Sequence, residues 1–570
     1  MGARIAPAPT LAEPAACRRE RQGHRATMIG KRVAQRIGAF APVHASNNKK
    51  EIQVFKKIGA ASLALLAAFA APTPAPAQTV TAVLEAEVVT LDPHFTGAYI
   101  SRTFGYAVFD TLYGMDSSGA IQPQMVEGHT VSPDGLTWTF RLREGLTWHD
   151  GQPVTAADCV ASLKRWGPRA ALGRRLMAAT ASLEPLDVRR FELRLKEPFG
   201  MVLDALGRPN SPVPFMLPER LARIPGETRI TDIVGSGPFM YSQADHRTGD
   251  RMVLKRNPRY VPRAEPANFL AGSKAVHVEA VEFRVVPDGA TAVNALQAGE
   301  VDFLQYIPFD LLPVLERNPR VKVQNFEGMH AFQGYFRLNH AAPPFNDPEI
   351  RRVLWRLIDQ STVLDALGLP DRHMVKGCRS FFMCGTPLET TAGAQIGENP
   401  SIAAAREALA RTRYKGETIV VFQANDIDAP RVSSAVVADL LRQAGFKVDL
   451  QTMDWGTVLA RRTKRDAWHM FGVHASGFDL SSPLTHFYIF NNCNDSPGWS
   501  CDPRLDPLFD EFVKAPDLAA RKSVADRINA VAYELVPAVM WGQLVQPAAY
   551  RANLQNVIPS SIPVFWSLRK

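Results

Sequence analysis

The sequence predicts a mixed α/β protein with more than one lobe, and three observations carry this prediction. The 570 residues exceed what one simple domain needs, and a composition with 46% hydrophobic and 21% charged residues is ordinary for a globular chain. Several short segments alternate apolar and polar residues. One segment of the second half has the pattern strand, helix, strand.

Three segments alternate with the period of two that a half-buried strand requires. They are Leu136–Arg143, Phe191–Lys196 and Val281–Val285. The dipeptides Asp134-Gly135 and Asp150-Gly151 are typical of turns between strands.

The clearest helix is predicted to begin at Asp347, a good N-cap residue, followed by Pro348, which suits the first helical position. One apolar face at helical spacing continues it: Ile350, Val353, Leu354, Leu357 and Ile358. A second long helix fits Asp517–Leu535.

The strand–helix–strand pattern lies between residues 418 and 452. Thr418–Phe422 is apolar and β-branched, Ser433–Ala444 has helical spacing and ends at Gly445, and Phe446–Thr452 is again strand-like. Such a unit places two parallel strands in one sheet, which makes this half of the chain α/β.

The net charge of +9 is a property of the N-terminal segment. Residues 1–77 hold twelve of the 65 Lys/Arg and three of the 56 Asp/Glu, which leaves residues 78–570 formally neutral. A nucleic-acid partner requires a basic face on the folded domain, so we expect no nucleic-acid partner.

The N-terminal segment also contains a predicted secretory signal at about 54–77, within a leader of residues 1–77. Lys56 and Lys57 precede an apolar run from Ile58 to Ala71, and Ala75-Pro76-Ala77 forms an A-x-A cleavage site. The run is shorter than the roughly 20 residues that span a bilayer, and no cysteine follows it to take a lipid. We therefore predict a soluble periplasmic protein. Residues 1–50 fit an over-extended gene start, with a transit-like extension as the alternative.

Five cysteines follow the cleavage site. Cys378 and Cys384 form one close pair and Cys493 and Cys501 another, with spacings unlike those of zinc sites. In an oxidising compartment the prediction is two disulfides that close loops, with Cys159 as a buried free thiol.

Many short motifs, in order, resemble those of one known family. The strongest stretch is Gln122–Trp166, which contains S-x-D-G-x-x-W-x-F, a W-x-D-G turn and T-A-x-D. Others are Leu91–His94, Phe109–Tyr113, Gly235–Phe239, Arg256–Tyr260, Asn294–Asp302, Pro344–Asp347 and Asp454-Trp455. From about Leu91 to about Val557 the chain resembles the extracellular solute-binding proteins of family 5, which serve ABC importers of dipeptides, oligopeptides and nickel.

The resemblance implies a type II periplasmic-binding-protein fold, with two main lobes joined by a hinge plus an additional lobe. Lobe I would comprise residues 78–115, 236–338 and 540–570. The additional lobe would comprise 116–235, and lobe III 339–539. It further implies a monomer that closes around a ligand and docks on a membrane permease with ATPase subunits. The chain itself has no G-x-x-x-x-G-K-[ST] loop.

Asp479 is the leading ligand-binding residue that the resemblance implies, as the carboxylate for the α-amine of a peptide. The alternative is an aspartate that caps a turn with Ser481 or Ser482. Further candidates lie on the lobe I side of the cleft or offer flat rings and cations: Phe95, Tyr99, Arg102, Arg379, Trp455 and Trp541. Arg102 and Arg379 are the candidates for a ligand carboxylate, and for each tryptophan packing in the core is the competing interpretation.

Four histidines invite a metal interpretation: His330, His469, His474 and His486. None has H-E-x-x-H or H-x-x-E-H spacing, so we expect no metal and no cofactor. Satisfied or solvated side chains are the preferred interpretation.

The predicted function is capture of a small solute, foremost a di- or oligopeptide, for an ABC importer, without catalysis. A nickel chelate, haem or an opine-like sugar derivative is the alternative within this class. A periplasmic hydrolase is the alternative from another class, although the sequence has no G-x-S-x-G elbow.

Overall fold

A computed structural model describes residues 78–489, 493 and 497–570, which belong to the unit Pro74–Lys570. The leader of residues 1–77, with the predicted signal segment, lies outside the described residues.

The strands of the described residues, in chain order, are β1 (Thr79–Val83), β2 (Tyr113–Met115), β3 (Ile121–Pro123), β4 (Val126–Val131), β5 (Thr137–Leu142), β6 (Thr180–Pro185), β7 (Arg190–Leu195), β8 (Phe239–Met240), β9 (His246–Arg247), β10 (Arg251–Arg256), β11 (Ala280–Arg284), β12 (Phe303–Leu304), β13 (Val321–Gln324), β14 (Phe332–Leu338), β15 (Met374–Val375), β16 (Thr418–Ala424), β17 (Lys447–Met453), β18 (Met470–Ser476), β19 (Ala538–Leu544) and β20 (Ala548–Arg551).

The α-helices of the described residues are α1 (Tyr99–Val108), α2 (Ala156–Trp166), α3 (Ala171–Ala179), α4 (Val202–Gly207), α5 (Glu219–Ala222), α6 (Gly289–Ala298), α7 (Leu312–Glu316), α8 (Pro348–Leu357), α9 (Gln360–Ala366), α10 (Ile402–Ala410), α11 (Asp428–Ala444), α12 (Trp455–Arg461), α13 (Gly477–Leu480), α14 (Leu505–Lys514) and α15 (Leu518–Leu535).

Three larger sheets organise the fold, and each defines a lobe. The eight-stranded lobe has the strand order β13-β20-β12-β1-β11-β10-β8, with β9 beside β10. The six-stranded lobe has the order β15-β19-β14-β18-β16-β17. The four-stranded lobe has the order β4-β5-β7-β6, and β2 and β3 form a separate hairpin.

Two chain segments cross between the eight-stranded and six-stranded lobes. Residues 325–331 join β13 to β14, and residues 545–547 join β19 to β20. Because β13 neighbours β20 in one sheet and β14 neighbours β19 in the other, the two crossings run side by side. A pair of short adjacent connections of this kind is a hinge geometry.

The sheet pairing differs from two of the predicted segment boundaries. β14 falls in the segment 236–338 that was assigned to lobe I, and residues 540–544 of β19 fall in the segment 540–570. Both strands hydrogen-bond within the six-stranded sheet. Strand periodicity is the same on either side of a crossing, so the sequence pattern does not show where the chain changes sheets.

The local predictions are confirmed where they concern regular elements. The three alternating segments correspond to β5, β7 and β11, and the helix predicted from Asp347 is α8, with Asp347 as N-cap. The strand–helix–strand unit is β16, α11 and β17, whose strands pair in parallel. Gly445 ends α11 at a φ of 104°, a conformation that favours glycine.

Both predicted disulfides are present, Cys378–Cys384 and Cys493–Cys501, and Cys159 is a buried free thiol. The first disulfide closes a loop whose Phe381 and Phe382 are completely buried in the core of the six-stranded lobe.

Candidate functional site

Asp479 lies in the short helix α13, directly after β18 of the six-stranded lobe, and is 5% exposed. Ser476 ends the strand and caps the helix by accepting a hydrogen bond from the Phe478 amide at 3.4 Å. Gly477 permits a close approach to the first crossing segment, because a Cβ there would lie 2.7 Å from the Met329 carbonyl oxygen. The aspartate is therefore held beside the hinge.

The Asp479 carboxylate joins three parts of the chain. The Tyr99 hydroxyl, at the start of α1, donates to Oδ2 at 2.7 Å. The Asn210 amide, in the segment after α4, donates to Oδ1 at 3.1 Å and to the Phe478 carbonyl at 2.5 Å. The Ser476 amide donates in turn to the Tyr99 hydroxyl at 3.2 Å. A carboxylate has about four lone-pair sites, so this arrangement leaves acceptor capacity for a further donor.

Tyr99 is the donor in its pair with Asp479. Burial, followed by the charge of Asp479, raises the pKa of Tyr99 well above its usual value, and the phenol keeps its proton. Among the described residues, neither Ser481 nor Ser482 donates to the Asp479 carboxylate, so the turn-capping alternative does not describe this aspartate.

Arg102 follows one helical turn after Tyr99, and its guanidinium carbon lies 4.4 Å from the centre of the Tyr99 ring. Arg102 as a whole is only 6% exposed. It donates from Nη1 to the Pro209 carbonyl at 2.8 Å, and its Nε has no partner among residues 78–489, 493 and 497–570. Within the described part of the chain it forms no ion pair, which is unusual for a buried arginine.

Glu85 extends the site on the side of the eight-stranded lobe, just after β1. Its carboxyl accepts a hydrogen bond from the Tyr306 hydroxyl at 2.9 Å, and its amide donates to Gln305 Oε1 at 3.0 Å. Burial raises the pKa of Glu85, while the Tyr306 hydrogen bond and the charge of Arg102 oppose the shift. We call the connected group the inter-lobe cluster: Glu85, Tyr99, Arg102, Asn210, Tyr306 and Asp479.

Sequence reasoning found three members of the inter-lobe cluster and missed Glu85, Asn210 and Tyr306. Tyr99 and Asp479 are separated by 380 residues, and Asn210 is 269 residues from Asp479. No local pattern predicts such pairings. The one sequence feature that could have indicated this part of the site is Glu85, a charged residue two positions after the end of the buried strand β1.

The structure brings neither Phe95 nor Arg379 to the inter-lobe cluster. Phe95 lies beneath Arg169, whose guanidinium carbon is 6.0 Å from its ring centre. Arg379 lies in the Cys378–Cys384 loop, half-buried, with Glu398 at 3.8 Å. Of the two arginines proposed for a ligand carboxylate, only Arg102 adjoins Asp479.

The two tryptophans pack against other aromatic or backbone groups. Trp541 is completely buried in β19 and donates from its indole to the Tyr335 carbonyl at 3.1 Å. Trp455 begins α12 and meets the Phe471 ring edge-on at 6.3 Å. The burial of Trp541 agrees with the core interpretation, whereas Trp455 is half-buried and its ligand contact stays a prediction.

The four histidines lie in different surroundings. His469 contacts the Val420 amide and the Pro343 carbonyl, and His486 contacts Tyr335 and Phe381. His474 and His486 differ from the expectation of fully satisfied side chains, because the buried Nδ1 of each has no partner in the described part of the chain. Over the described ranges, no three His, Cys, Asp or Glu side chains are grouped to hold a metal ion.

A separate groove of about 570 Å³ lies on the four-stranded lobe, between α2 and α5. Its cations are already engaged: Lys164 with Glu184, Arg165 with Asp92, Arg223 with Glu219, and Arg169 with the Phe95 carbonyl. A groove whose charges pair with one another is a weaker candidate than a buried cluster with unpartnered polar atoms.

None of the helices in the described residues combines the length and the apolar character needed to cross a membrane.

Comparison with known proteins agrees with the fold. Residues 120–498 match the family described as bacterial extracellular solute-binding proteins, family 5 Middle. A probable peptide ABC transporter periplasmic-binding protein of Sinorhizobium fredii is 36% identical over 530 residues, covering 90% of this chain and 98% of that protein. A glutathione-binding protein of Shigella dysenteriae is 26% identical over 518 residues, covering 88% and 95%.

Two solved structures share the fold. One is the periplasmic binding protein AgaA of Agrobacterium in complex with agropinic acid, with a TM-score of 0.72, 22% identity and coverage of 86% of this chain and 98% of that chain. The other is a dipeptide-binding protein from Pseudoalteromonas in complex with Met-Leu, with a TM-score of 0.71, 16% identity and coverage of 86% and 100%. The predicted type II periplasmic-binding-protein fold is confirmed, and the chain belongs to family 5 of the bacterial extracellular solute-binding proteins.

Proposed function

We propose that this protein is the substrate-binding component of an ABC importer, and that it captures a small zwitterionic solute, foremost a short peptide, between the eight-stranded and six-stranded lobes. The observation that carries the proposal is that a buried carboxylate with spare acceptor sites and a buried guanidinium, which forms no ion pair among the described residues, both contact Tyr99. The peptide transporter and glutathione-binding relatives support this solute class.

Asp479 is the proposed site for the ligand's ammonium group. Its carboxylate is buried, rigidly held by Tyr99 and Asn210, and able to accept further hydrogen bonds. An ammonium that leaves water must find a fixed anion, because an unpaired buried charge is costly. The lobe contacts that hold Asp479 also bring the ligand-binding group into place when the hinge closes.

Arg102 is the proposed site for the ligand's carboxylate. A planar guanidinium offers two parallel donors to a carboxylate, and the Nε of Arg102 is unused. Stacking on Tyr99 fixes the plane of the guanidinium, since the Tyr99 hydroxyl is itself anchored on Asp479. The two ends of a zwitterion would thus be bound on either side of one tyrosine ring.

The hinge and the family together imply the rest of the cycle. The crossing segments 325–331 and 545–547 would flex to open the lobes, and the loaded form would dock on a membrane permease with ATPase subunits. The chain would act in the periplasm, after export through its leader, and release its ligand chemically unchanged.

A non-peptide solute is the second candidate. It is favoured by the AgaA complex with agropinic acid, an opine-like compound, whose fold superposes on this chain with a TM-score of 0.72. A nickel chelate is a further possibility within this class, as in the NikZ complex of Campylobacter jejuni with Ni(L-His).

The test is native mass spectrometry of the full chain, exported and purified from the periplasm. We expect a retained or added short peptide to appear as a mass increment, and Met-Leu to remain intact after incubation with the protein. A retained sugar derivative or metal chelate would move the assignment to the second candidate. Cleavage of Met-Leu would contradict capture without turnover and support the hydrolase alternative.

A further inference from the structure

A row of aromatic rings leads from the inter-lobe cluster across the lobe boundary. The Tyr306 ring, on the eight-stranded lobe, meets the Phe332 ring of β14 at 6.2 Å with an interplanar angle of 83°. Phe332 in turn meets the His474 ring of β18 at 5.2 Å and 87°. Tyr306, Phe332 and His474 therefore form one continuous wall, with rings from both lobes.

The wall has a polar group at each end that the protein leaves incompletely paired. At one end, the described residues give the Glu85 carboxyl a single hydrogen-bond donor, the Tyr306 hydroxyl. At the other end, the same residues provide no partner for the buried Nδ1 of His474. Buried polar atoms without partners are rare in native proteins, and an unmade hydrogen bond is costly, so a ligand group is a natural partner.

The wall adjoins the proposed site for the ligand's ammonium group. Burial and the Glu85 carboxyl raise the pKa of Tyr306, the nearby Tyr99 adds to the shift, and Arg102 opposes it. The geometric link is Phe332, which is the register partner of Ser476 in the β14–β18 pair, and the Ser476 amide donates to the Tyr99 hydroxyl at 3.2 Å. A ligand anchored on Asp479 and Arg102 would present its next substituent to this wall.

The charges around the Glu85 carboxyl indicate which kind of ligand substituent would bind beside it. Arg102 is the positive group that acts on Glu85 within the site. When a ligand carboxylate pairs with Arg102, that positive charge is compensated, and the half-buried Glu85 carboxyl, which accepts from Tyr306, has acceptor sites for a further donor. A basic group supplies both the charge and the hydrogen bonds, and aromatic faces also attract cations.

We infer that Glu85, Tyr306, Phe332 and His474 form a side-chain subsite that selects solutes carrying a second basic group, such as a lysine side chain. The inference rests on the proposed function, because it needs a ligand anchored at Asp479. Glu85 is its specificity-determining residue, and the aromatic rings form the walls that exclude water.

The experiment is isothermal titration calorimetry of the full periplasmic protein with Met-Lys, Met-Leu and Met-Glu. We expect Met-Lys to bind at least about tenfold more tightly than Met-Leu, and Met-Glu to bind most weakly, because one hydrogen bond to a charged group is worth that factor or more. In Glu85→Gln the affinity ratio of Met-Lys to Met-Leu should fall to about one, and a thermal-unfolding curve like that of the native protein shows that the variant is folded.

Glu87→Gln is the matched control. Glu87 lies two residues further along and accepts from the Gly249 amide at 2.8 Å in an exposed contact, so its substitution should leave the preference intact. A measurement on the ligand side needs no variant: acetylation of the lysine Nζ in Met-Lys should cost the same factor in the native protein.

The outcomes separate the inference from the proposed function. Equal affinities for the three peptides, or a lysine preference that survives in Glu85→Gln, would overturn the subsite and leave capture of peptides standing. If none of the three peptides binds, the proposed function fails and the subsite with it.

Discussion

Two buried arginines lie close to the same N-terminal segment and have opposite electrostatic surroundings. Arg165, in α2, forms two hydrogen bonds with Asp92 at 2.7 and 3.0 Å, and both side chains are at most 1% exposed. It also donates to the carbonyls of Ile224 and Thr228. Arg102 has the Pro209 carbonyl and a tyrosine face, and among the described residues no carboxylate pairs with it.

The difference distinguishes an ion pair that stabilises the fold from a charged side chain that can bind a ligand. The Arg165–Asp92 pair has nearly all its donors and acceptors satisfied by the protein, and Asp92 further accepts from the amides of Ile230 and His94. Such a network ties the four-stranded lobe to the segment before α1 and has no capacity for a ligand. Arg102 keeps that capacity, which is why we place the ligand carboxylate there.

The largest expected effect is on stability, from Arg165→Met. Asp92 would remain buried without its counter-ion, and the free energy of unfolding should fall by about 3–5 kcal/mol, as measured by urea denaturation. Arg169→Met is the control, since Arg169 is exposed and its hydrogen bond within the described structure is to the Phe95 carbonyl; its cost should stay below about 1 kcal/mol. Equal losses of stability in the two variants would contradict the claim that the Arg165–Asp92 pair stabilises the fold.

Arg102→Met should have the opposite effect, on ligand affinity and not on stability. Removing an uncompensated buried charge should cost little stability, whereas the affinity for Met-Leu should fall by about 30-fold or more, the effect of losing one partner of a buried ion pair. Calorimetric titration measures the affinity. Arg379→Met, at the other arginine predicted for this role, should leave it unchanged, and a loss confined to Arg379→Met would reassign the carboxylate site.

His486 is a third type of buried basic group, and its effect on stability depends on pH. Burial lowers its pKa from 6.5 to about 3 in the folded chain. The unfolded chain therefore takes up a proton first, and the contribution of His486 to stability is complete above pH 6.5 and is lost as the pH falls towards 3.

We expect this side chain alone to account for about 1 kcal/mol of unfolding free energy per pH unit between pH 6 and 4. Urea denaturation across this range should show a slope that is shallower by this amount in His486→Gln. Identical slopes would show that His486 titrates in the folded protein as it does in the unfolded chain.

The sequence predicted local structure better than the site, for a physical reason. β16, α11 and β17 follow one another and depend on spacing, an N-terminal cap or a glycine such as Gly445, all of which are visible in a short window. The disulfides also join nearby residues. The switch of sheets at β14 could not be predicted, because strand periodicity does not identify the partner strand.

The inter-lobe cluster depends on contacts between residues that are hundreds of positions apart. Asp479, Tyr99 and Arg102 were found through the family motifs around them, whereas Asn210 and Tyr306 stand in segments without such motifs. Trp541 was misplaced because an aromatic ring that suits ligand stacking suits a core equally well. Only the packing decides, and it places this indole at 0% exposure.

The most direct test of the central claim is the affinity of the full periplasmic protein and of Asp479→Asn for Met-Leu and for N-acetyl-Met-Leu. The native protein should bind the free amine at least about 30-fold more tightly than the acetylated peptide. Asp479→Asn should bind the two peptides equally and weakly. An undiminished preference for the free amine in Asp479→Asn would contradict the assignment of Asp479 as the ammonium site.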